Sequence, residues 1–196
     1  MCGRYLIGDE AFADILELIG DPDRARHIAR GEVFPSNIAP VIAKNGAFGA
    51  KWGFPHWKNA SVIINARAET ALEKRMFRKP LENNRCVIPS SGFYEWDRTG
   101  GGKKKDKYLL RRPGEPILCM AGILDVFRDA AGSEYIAFVI LTTAANGPAA
   151  AIHDRMPVIL APDERERWIG DGDFAESAMR RPGPELLLIH ADEKEL

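Results

Sequence analysis

Apolar positions near the start of the chain predict a helix. Phe12, Ile15, Leu16 and Ile19 recur at i, i+3, i+4 and i+7, the spacing that turns one helical face to a core. Asp9 stands where a cap belongs, and Gly20, Asp21 and Pro22 stop the pattern. Beyond it the period shortens to that of strands. Val62–Asn65, Arg85–Ile88, Phe93–Trp96, Lys107–Arg111, Ile117–Leu124, Tyr135–Thr143 and Val158–Leu160 are rich in β-branched or aromatic residues and bounded by Gly, Pro, Asn or Ser. Further helices are predicted over Glu69–Phe77, Gly147–Ile152 and Asp163–Ile169, the last with Pro162 ahead of it and Gly170 as its stop. Gly100–Gly102 reads as an exposed hairpin turn and Lys103–Lys105 as its solvated tip. There is no repeat and no linker. Many strands without strict βαβ alternation predict an α+β fold: one domain over residues 1–196, with a mainly antiparallel, barrel-like core and short flanking helices.

Composition narrows the class. With 45% hydrophobic and 28% charged residues in 196, the chain is an ordinary globular one, which excludes disorder and a collagen-like repeat. The longest purely apolar run, Tyr135–Leu141, falls far short of the roughly 20 residues that cross a bilayer, so no membrane partner is expected. No basic-then-apolar leader opens the chain, so no signal peptide is expected either. The three cysteines, Cys2, Cys86 and Cys119, are odd in number and lack metal-like spacing. They argue against a disulfide framework and a structural zinc site, and for a reducing cytoplasm. The net charge of -1 conceals an asymmetry: residues 1–40 balance to -3, residues 41–113 to +10 and residues 114–196 to -8. Either the middle segment builds a local basic groove, or the oppositely charged segments neutralise each other across the fold.

The candidate chemistry begins at Cys2. Methionine is normally removed when a small side chain follows it, and the chain would then open with a cysteine carrying a free α-amine and a thiol. An α-amine titrates at about 7.7–8.0 against about 10.4 for lysine, so much more of it is nucleophilic near neutrality. A neighbouring thiol can trap the imine such an amine forms with an aldehyde, closing a five-membered thiazolidine. Cys2 can also be read as no more than the buried start of the first strand. Three other residues stand in suggestive surroundings. Asn65 ends an apolar strand in Ile-Asn-Ala-Arg-Ala-Glu-Thr, Glu95 lies among aromatics in Gly-Phe-Tyr-Glu-Trp, and His153 sits in Ile-His-Asp-Arg-Met-Pro between a helix and a strand. A carboxylate among aromatics loses hydration unless it has a partner or a task. Each also has a bland reading: a helix cap, an outward strand residue and a satisfied core histidine. Nothing near His27, His56 or His190 suggests a task.

Several motifs in order carry a family resemblance. Met-Cys-Gly-Arg-Tyr opens the chain, followed by Asn37-Ile-Ala-Pro40, Trp52-Gly-Phe with Trp57, and Asn65-Ala-Arg67-Ala-Glu69-Thr70. Then come Arg85-Cys-Val-Ile-Pro89 running to Gly92-Phe-Tyr-Glu95-Trp96, and His153-Asp-Arg155-Met-Pro157. Together they resemble the SOS-response-associated peptidase (SRAP) family, most strongly over residues 2–169. The resemblance implies a monomeric protein that binds single-stranded DNA and captures the ring-opened aldehyde of an abasic site as a thiazolidine. It implies Cys2 as nucleophile, Asn65 holding the N-terminus or the opened sugar, and Glu95 moving protons. His153 would assist imine chemistry and ring closure. No metal and no cofactor is implied. Arg4, Arg67, Arg75 and Arg155 would contact phosphates, and Asn37, Pro40 and Trp57 would line the site and stack or separate flanking bases. The location implied is cytoplasmic, at the nucleoid in a bacterium. The chain departs from the pattern at Val41-Ile42, where a Gly-Thr-like turn is usual, and in the closing Leu186–His190 segment with its acidic tail.

Other functions share this N-terminus. Class II glutamine amidotransferases also mature to an N-terminal cysteine followed by glycine, but their later motifs are not visible here. A cysteine peptidase acting on its own N-terminus and a lyase acting at abasic sites are related secondary activities. A single-stranded DNA-binding module with an incidental Cys2 is the non-enzymatic reading.

Overall fold

The computed structural model describes residues 2–20, 27–56, 58–99 and 105–191. Five strands close a barrel: Ile38–Ala43 pairs with Gly46–Trp52, which meets Glu134–Ala144, then Leu118–Arg128, then Arg85–Ser90. The ring shuts where Arg85–Ser90 returns to Ile38–Ala43 at the single pair Val87 and Ile42. Every joint is antiparallel except one. Gly46–Trp52 runs parallel to Glu134–Ala144 for only Lys51–Trp52, and Asn65–Arg67 then continues along the same edge, also parallel. The predicted Val62–Asn65 strand is therefore split, because Val62–Ile63 pairs instead with Phe54–Pro55. Gly53, at φ 119° and with Val62 Cβ 2.8 Å from where its own Cβ would stand, is the point at which the chain leaves the barrel.

A second, wholly antiparallel sheet carries the chain's start. Its order is Gly31–Val33, Arg4–Ile7, Gly92–Trp96, Lys107–Arg111 and Leu187–His190. A single residue, Ser91, passes the chain from barrel to sheet. Strand alternation builds two buried layers. Cys86, Ile88, Met120, Phe138 and Ile140 pack with Tyr5, Ile7 and Phe93 of the second sheet. Val87, Cys119, Ala121, Val139 and Leu141 point the other way, under Phe77, Leu81, Trp168 and Phe174 from the helices. Gly122 in this wall admits no side chain, since an added Cβ would sit 2.3 Å from Ile88 Cδ1 and 2.8 Å from Val139 O.

The helices differ in detail from the sequence pattern. Asp9–Ile19 buries Ala11, Ile15 and Ile19 and leaves Leu16 exposed, with Gly8 rather than Asp9 at its N-cap and Gly20 in the left-handed C-cap. Asp9 is the first helical residue, and its carboxylate holds Arg30 at 2.9 Å. The predicted Glu69–Phe77 helix breaks at Lys74, which is extended, into a 3-10 turn Ala68–Glu73 and the helix Arg75–Asn83. The Gly147–Ile152 helix is as predicted, and the predicted third becomes a 3-10 turn Pro162–Glu164 followed by the helix Arg165–Gly170, which takes in the expected stop. Gly172–Arg180 is a helix the pattern did not reveal, capped by Asp171, whose side chain accepts from Phe174 N–H at 3.0 Å. The predicted Gly100–Gly102 turn, with Lys103 and Lys104, lies outside the described residues, although the strands it would join do pair. Among the described residues no helix is long and apolar enough to cross a membrane.

Candidate active site and nucleic-acid interface

Three chain segments meet at Cys2. It is buried immediately before the first strand of the second sheet, and its Sγ lies 3.5 Å from Arg4 O. Asn65, held in the ladder opposite Ile140, donates from Nδ2 to Cys2 O at 2.9 Å. A carbonyl can only accept, so this contact fixes the amide's orientation. Asn65 Oδ1 is buried and meets no donor, which leaves one acceptor open beside the cysteine. Burial, reinforced by the charge of Glu95, pushes the Cys2 thiol up, so it is protonated at neutral pH.

Glu95 owes its burial to strand period. It stands two residues from Phe93 in Gly92–Trp96, on the side facing the core, and is only 3% exposed. Desolvation raises its pKa above the ordinary carboxylate value, which favours the protonated form relative to an exposed carboxylate. His153 ends the Gly147–Ile152 helix, its N–H reaching Ala149 O at 2.9 Å. Its Nε2 lies 3.8 Å from Glu95 Oε2, too far for a direct hydrogen bond. The Arg155 N–H donates to His153 Nδ1 at 2.9 Å. Burial is the largest of the causes that pull the imidazole down to about 4, the charge of Arg98 being a lesser one, so it is neutral and carries its one proton on Nε2, toward Glu95. Asp154 Oδ1 also stands 2.9 Å from Nδ1. A neutral ring whose Nδ1 already accepts a backbone N–H has no proton for it, and the carboxylate is mostly exposed.

The four residues singled out from sequence thus form one group: Asn65 on Cys2, Glu95 acting electrostatically on the thiol, and His153 facing Glu95. Glu95 is not the outward strand residue of the bland reading. Two sizeable surface cavities lie elsewhere, one of about 740 Å³ beside Ile38, Lys51 and Tyr135 and one of about 580 Å³ beside Phe48, Asn84 and Arg85. No member of the group lines either. Among the described residues no cluster of His, Cys, Asp and Glu could hold a metal ion.

The anticipated DNA contacts divide. Arg67 and Arg75 are exposed. Arg155 is already engaged: it grips both oxygens of Glu69 at 2.7 and 2.8 Å and donates to Thr142 O. That fork holds the Glu69 carboxyl below its ordinary range. Arg4 Nη1 pairs with Glu32 Oε1 at 2.8 Å, and the same oxygen takes Lys107 Nζ at 2.7 Å. Asn37 ties a tight turn, its Oδ1 accepting from Phe34 N–H at 2.9 Å. Pro40 is buried within the Ile38–Ala43 barrel strand, opposite Gly49. Trp57 lies outside the described residues. Glu32, Phe34 and Lys107 escaped the sequence reading, since only sheet register brings them to Arg4.

Comparison with known proteins agrees with this arrangement. The profile of the family described as SOS response associated peptidase (SRAP) matches residues 1–189. The abasic site processing protein YoqW of Bacillus subtilis (strain 168) is 34% identical over 199 residues, covering 92% of this chain and 87% of that one. The abasic site processing protein YedK of Escherichia coli (strain K12) is 35% identical over 180 residues, covering 86% and 79%. A crystal structure of a protein from Bacteroides thetaiotaomicron superposes with a TM-score of 0.80 at 27% identity, over 97% of this chain and 93% of that one. Fold, motif order and relatives agree, and the chain belongs to the SRAP family.

Proposed function

We propose that this protein captures abasic sites in single-stranded DNA by condensing their aldehyde with Cys2 after Met1 is removed. The observation that carries the reading is the convergence of Asn65, Glu95 and His153 on a buried cysteine at the head of the chain. Its relatives YoqW and YedK are named for abasic site processing. The α-amine adds to the aldehyde carbon, the resulting hydroxyl leaves as water, and the thiol adds across the imine to close the thiazolidine. The sum is loss of one water with no redox change, and neither metal nor cofactor takes part.

Each neighbour has a defined part. Asn65 fixes the Cys2 carbonyl and offers Oδ1 to the amine or the opened sugar hydroxyl. Glu95, its pKa raised by burial, protonates the departing hydroxyl and takes the thiol proton as the ring closes. With Nδ1 occupied, His153 acts through Nε2–H, as donor to Glu95 or to the sugar oxygen. A thiol held protonated is a poor acyl acceptor, so peptidase activity is secondary, as is strand cleavage. Arg67 and Arg75 meet phosphates directly, whereas Arg4 and Arg155 exchange carboxylate partners for them.

The test is an intact-mass spectrum of untagged protein mixed with a single-stranded oligonucleotide bearing one abasic site. The expected species is des-Met1 protein plus DNA minus one water, absent from Cys2→Ala. An adduct formed equally by Cys2→Ala would end the proposal, and unmodified protein beside intact DNA would leave a binding module.

A further inference from the structure

The outer face of the second sheet carries a cluster that the proposed chemistry does not use. Register sets Arg4 opposite Tyr94, Leu6 opposite Glu32, and Lys107 opposite Trp96. Opposed residues share a face, as do residues two apart, so Arg4, Glu32, Tyr94, Trp96 and Lys107 all stand on the side away from Tyr5 and Phe93. Glu32 Oε1 alone accepts from both cations, at 2.8 Å from Arg4 and 2.7 Å from Lys107. Aromatic rings wall the group. Phe34 lies 3.7 Å from the Arg4 guanidinium carbon, and Tyr94 lies 3.9 Å from Lys107 Nζ. Phe34 is 43% exposed, so part of its ring is open to solvent beside the guanidinium.

Two cations bridged by one anionic oxygen have the geometry of a backbone phosphate held by an arginine and a lysine. Exposed rings beside such a pair are what a single-stranded base stacks on. The Arg4 Nε proton is left without an acceptor, which the second oxygen of a phosphate would supply and the shared carboxylate oxygen does not. One carboxylate against two cations also leaves the cluster net positive. Arg4 follows Cys2 by two residues, so their Cα atoms lie at most about 7 Å apart.

We infer that Arg4 and Lys107 receive one backbone phosphate of the strand flanking the reacting nucleotide, that Phe34 stacks on a neighbouring base, and that Glu32 is a carboxylate placeholder which the phosphate displaces. The inference rests on the proposed reading that single-stranded DNA is the partner. Glu32 then tunes affinity: it keeps two cations preorganised while opposing any anion that approaches them.

The test uses an unlesioned, fluorescently labelled single-stranded oligonucleotide, so adduct formation does not enter. Its anisotropy is titrated with wild type, Glu32→Gln and Lys107→Gln over a range of salt concentrations. Glu32→Gln binds about fivefold tighter, the effect of removing one charge a few ångströms from a phosphate in high-dielectric surroundings. Lys107→Gln binds more weakly, and its log–log salt slope is shallower by about 0.7, the share of one phosphate contact on a single strand. Unchanged or weaker binding by Glu32→Gln overturns the inference, as does an unchanged salt slope in Lys107→Gln. A wild type that fails to bind single strands sinks the functional reading itself, an outcome distinct from either.

Discussion

The proton on His153 decides how Glu95 can act. Because the Arg155 N–H occupies Nδ1, the imidazole presents Nε2–H to the carboxyl 3.8 Å away, a pair that one substrate oxygen can bridge from the side. The same pair has a thermodynamic signature. Burial raises Glu95 above 4.5, so its ionisation disfavours the fold as pH rises through that raised value. Burial lowers His153 from 6.5 to about 4, so the unfolded chain takes up a proton that the folded one refuses, and stability falls as pH drops across that window. In the wild type the two trends oppose each other as the pH rises from about 4.5. Glu95→Gln removes one of them. Its urea midpoint is therefore expected to fall more steeply than the wild type's on acidification through that range. Parallel curves would show that Glu95 ionises as an ordinary carboxylate. The candidate residues themselves were legible in sequence, since Cys2, Asn65, Glu95 and His153 each stand in a distinctive local context. Their contacts were not, because the hydrogen bond from Asn65 to Cys2 spans 63 residues and depends on the parallel joint that places Asn65.

At the scale of elements, Arg85 shows what holds the helices against the barrel. Its buried guanidinium donates to Leu81 O and Glu82 O at the end of one helix and to Trp168 O and Ile169 O at the end of another. These are terminal carbonyls that no helix can satisfy internally, and a cation there also complements both helix dipoles. Arg85→Gln keeps the stem but reaches few of them. It is expected to cost about 2–3 kcal/mol in urea unfolding, the range for hydrogen bonds to a charged group. A loss under about 0.5 kcal/mol, the level of a neutral surface substitution, would mean that water replaces the guanidinium without penalty. Strands were the legible elements: the predicted Lys107–Arg111 segment is the observed one, and Arg85–Ile88 grows only to Ser90. Alternation is a local signal. The joints that close the barrel are two residue pairs on one side and one on the other, too short to leave a pattern. Gly172–Arg180 was hidden because Gly170 read as a stop, although Asp171 just after it caps the helix that follows.

Across the whole molecule, the question left by the charge count is whether the basic middle segment is neutralised or displayed. Lys107 pairs back to Glu32 in the first segment, and Arg112 pairs forward to Glu115. Arg180–Glu176, Arg181–Glu164 and Arg128–Glu134 close within the acidic third segment instead. Lys74, Arg75, Arg78 and Lys79, around the start of one helix, stay exposed, as does Arg67. The middle segment is therefore displayed in large part, as a groove for a polyanion requires. Binding driven by such a surface releases counterions, and on single strands log affinity falls against log salt by about 0.7 for each phosphate neutralised. With Arg67 and Arg75 each meeting one phosphate, the double substitution to glutamine is expected to make the slope shallower by about 1.4 and to weaken binding alike for all sequences. Salt titration of anisotropy on two oligonucleotides of unrelated sequence measures both effects. If the double variant kept the wild-type slope, these arginines would lie off the path of the strand. The displayed charge would then serve solubility, and the strand would have to run past Arg4, Lys107 and Arg155 instead.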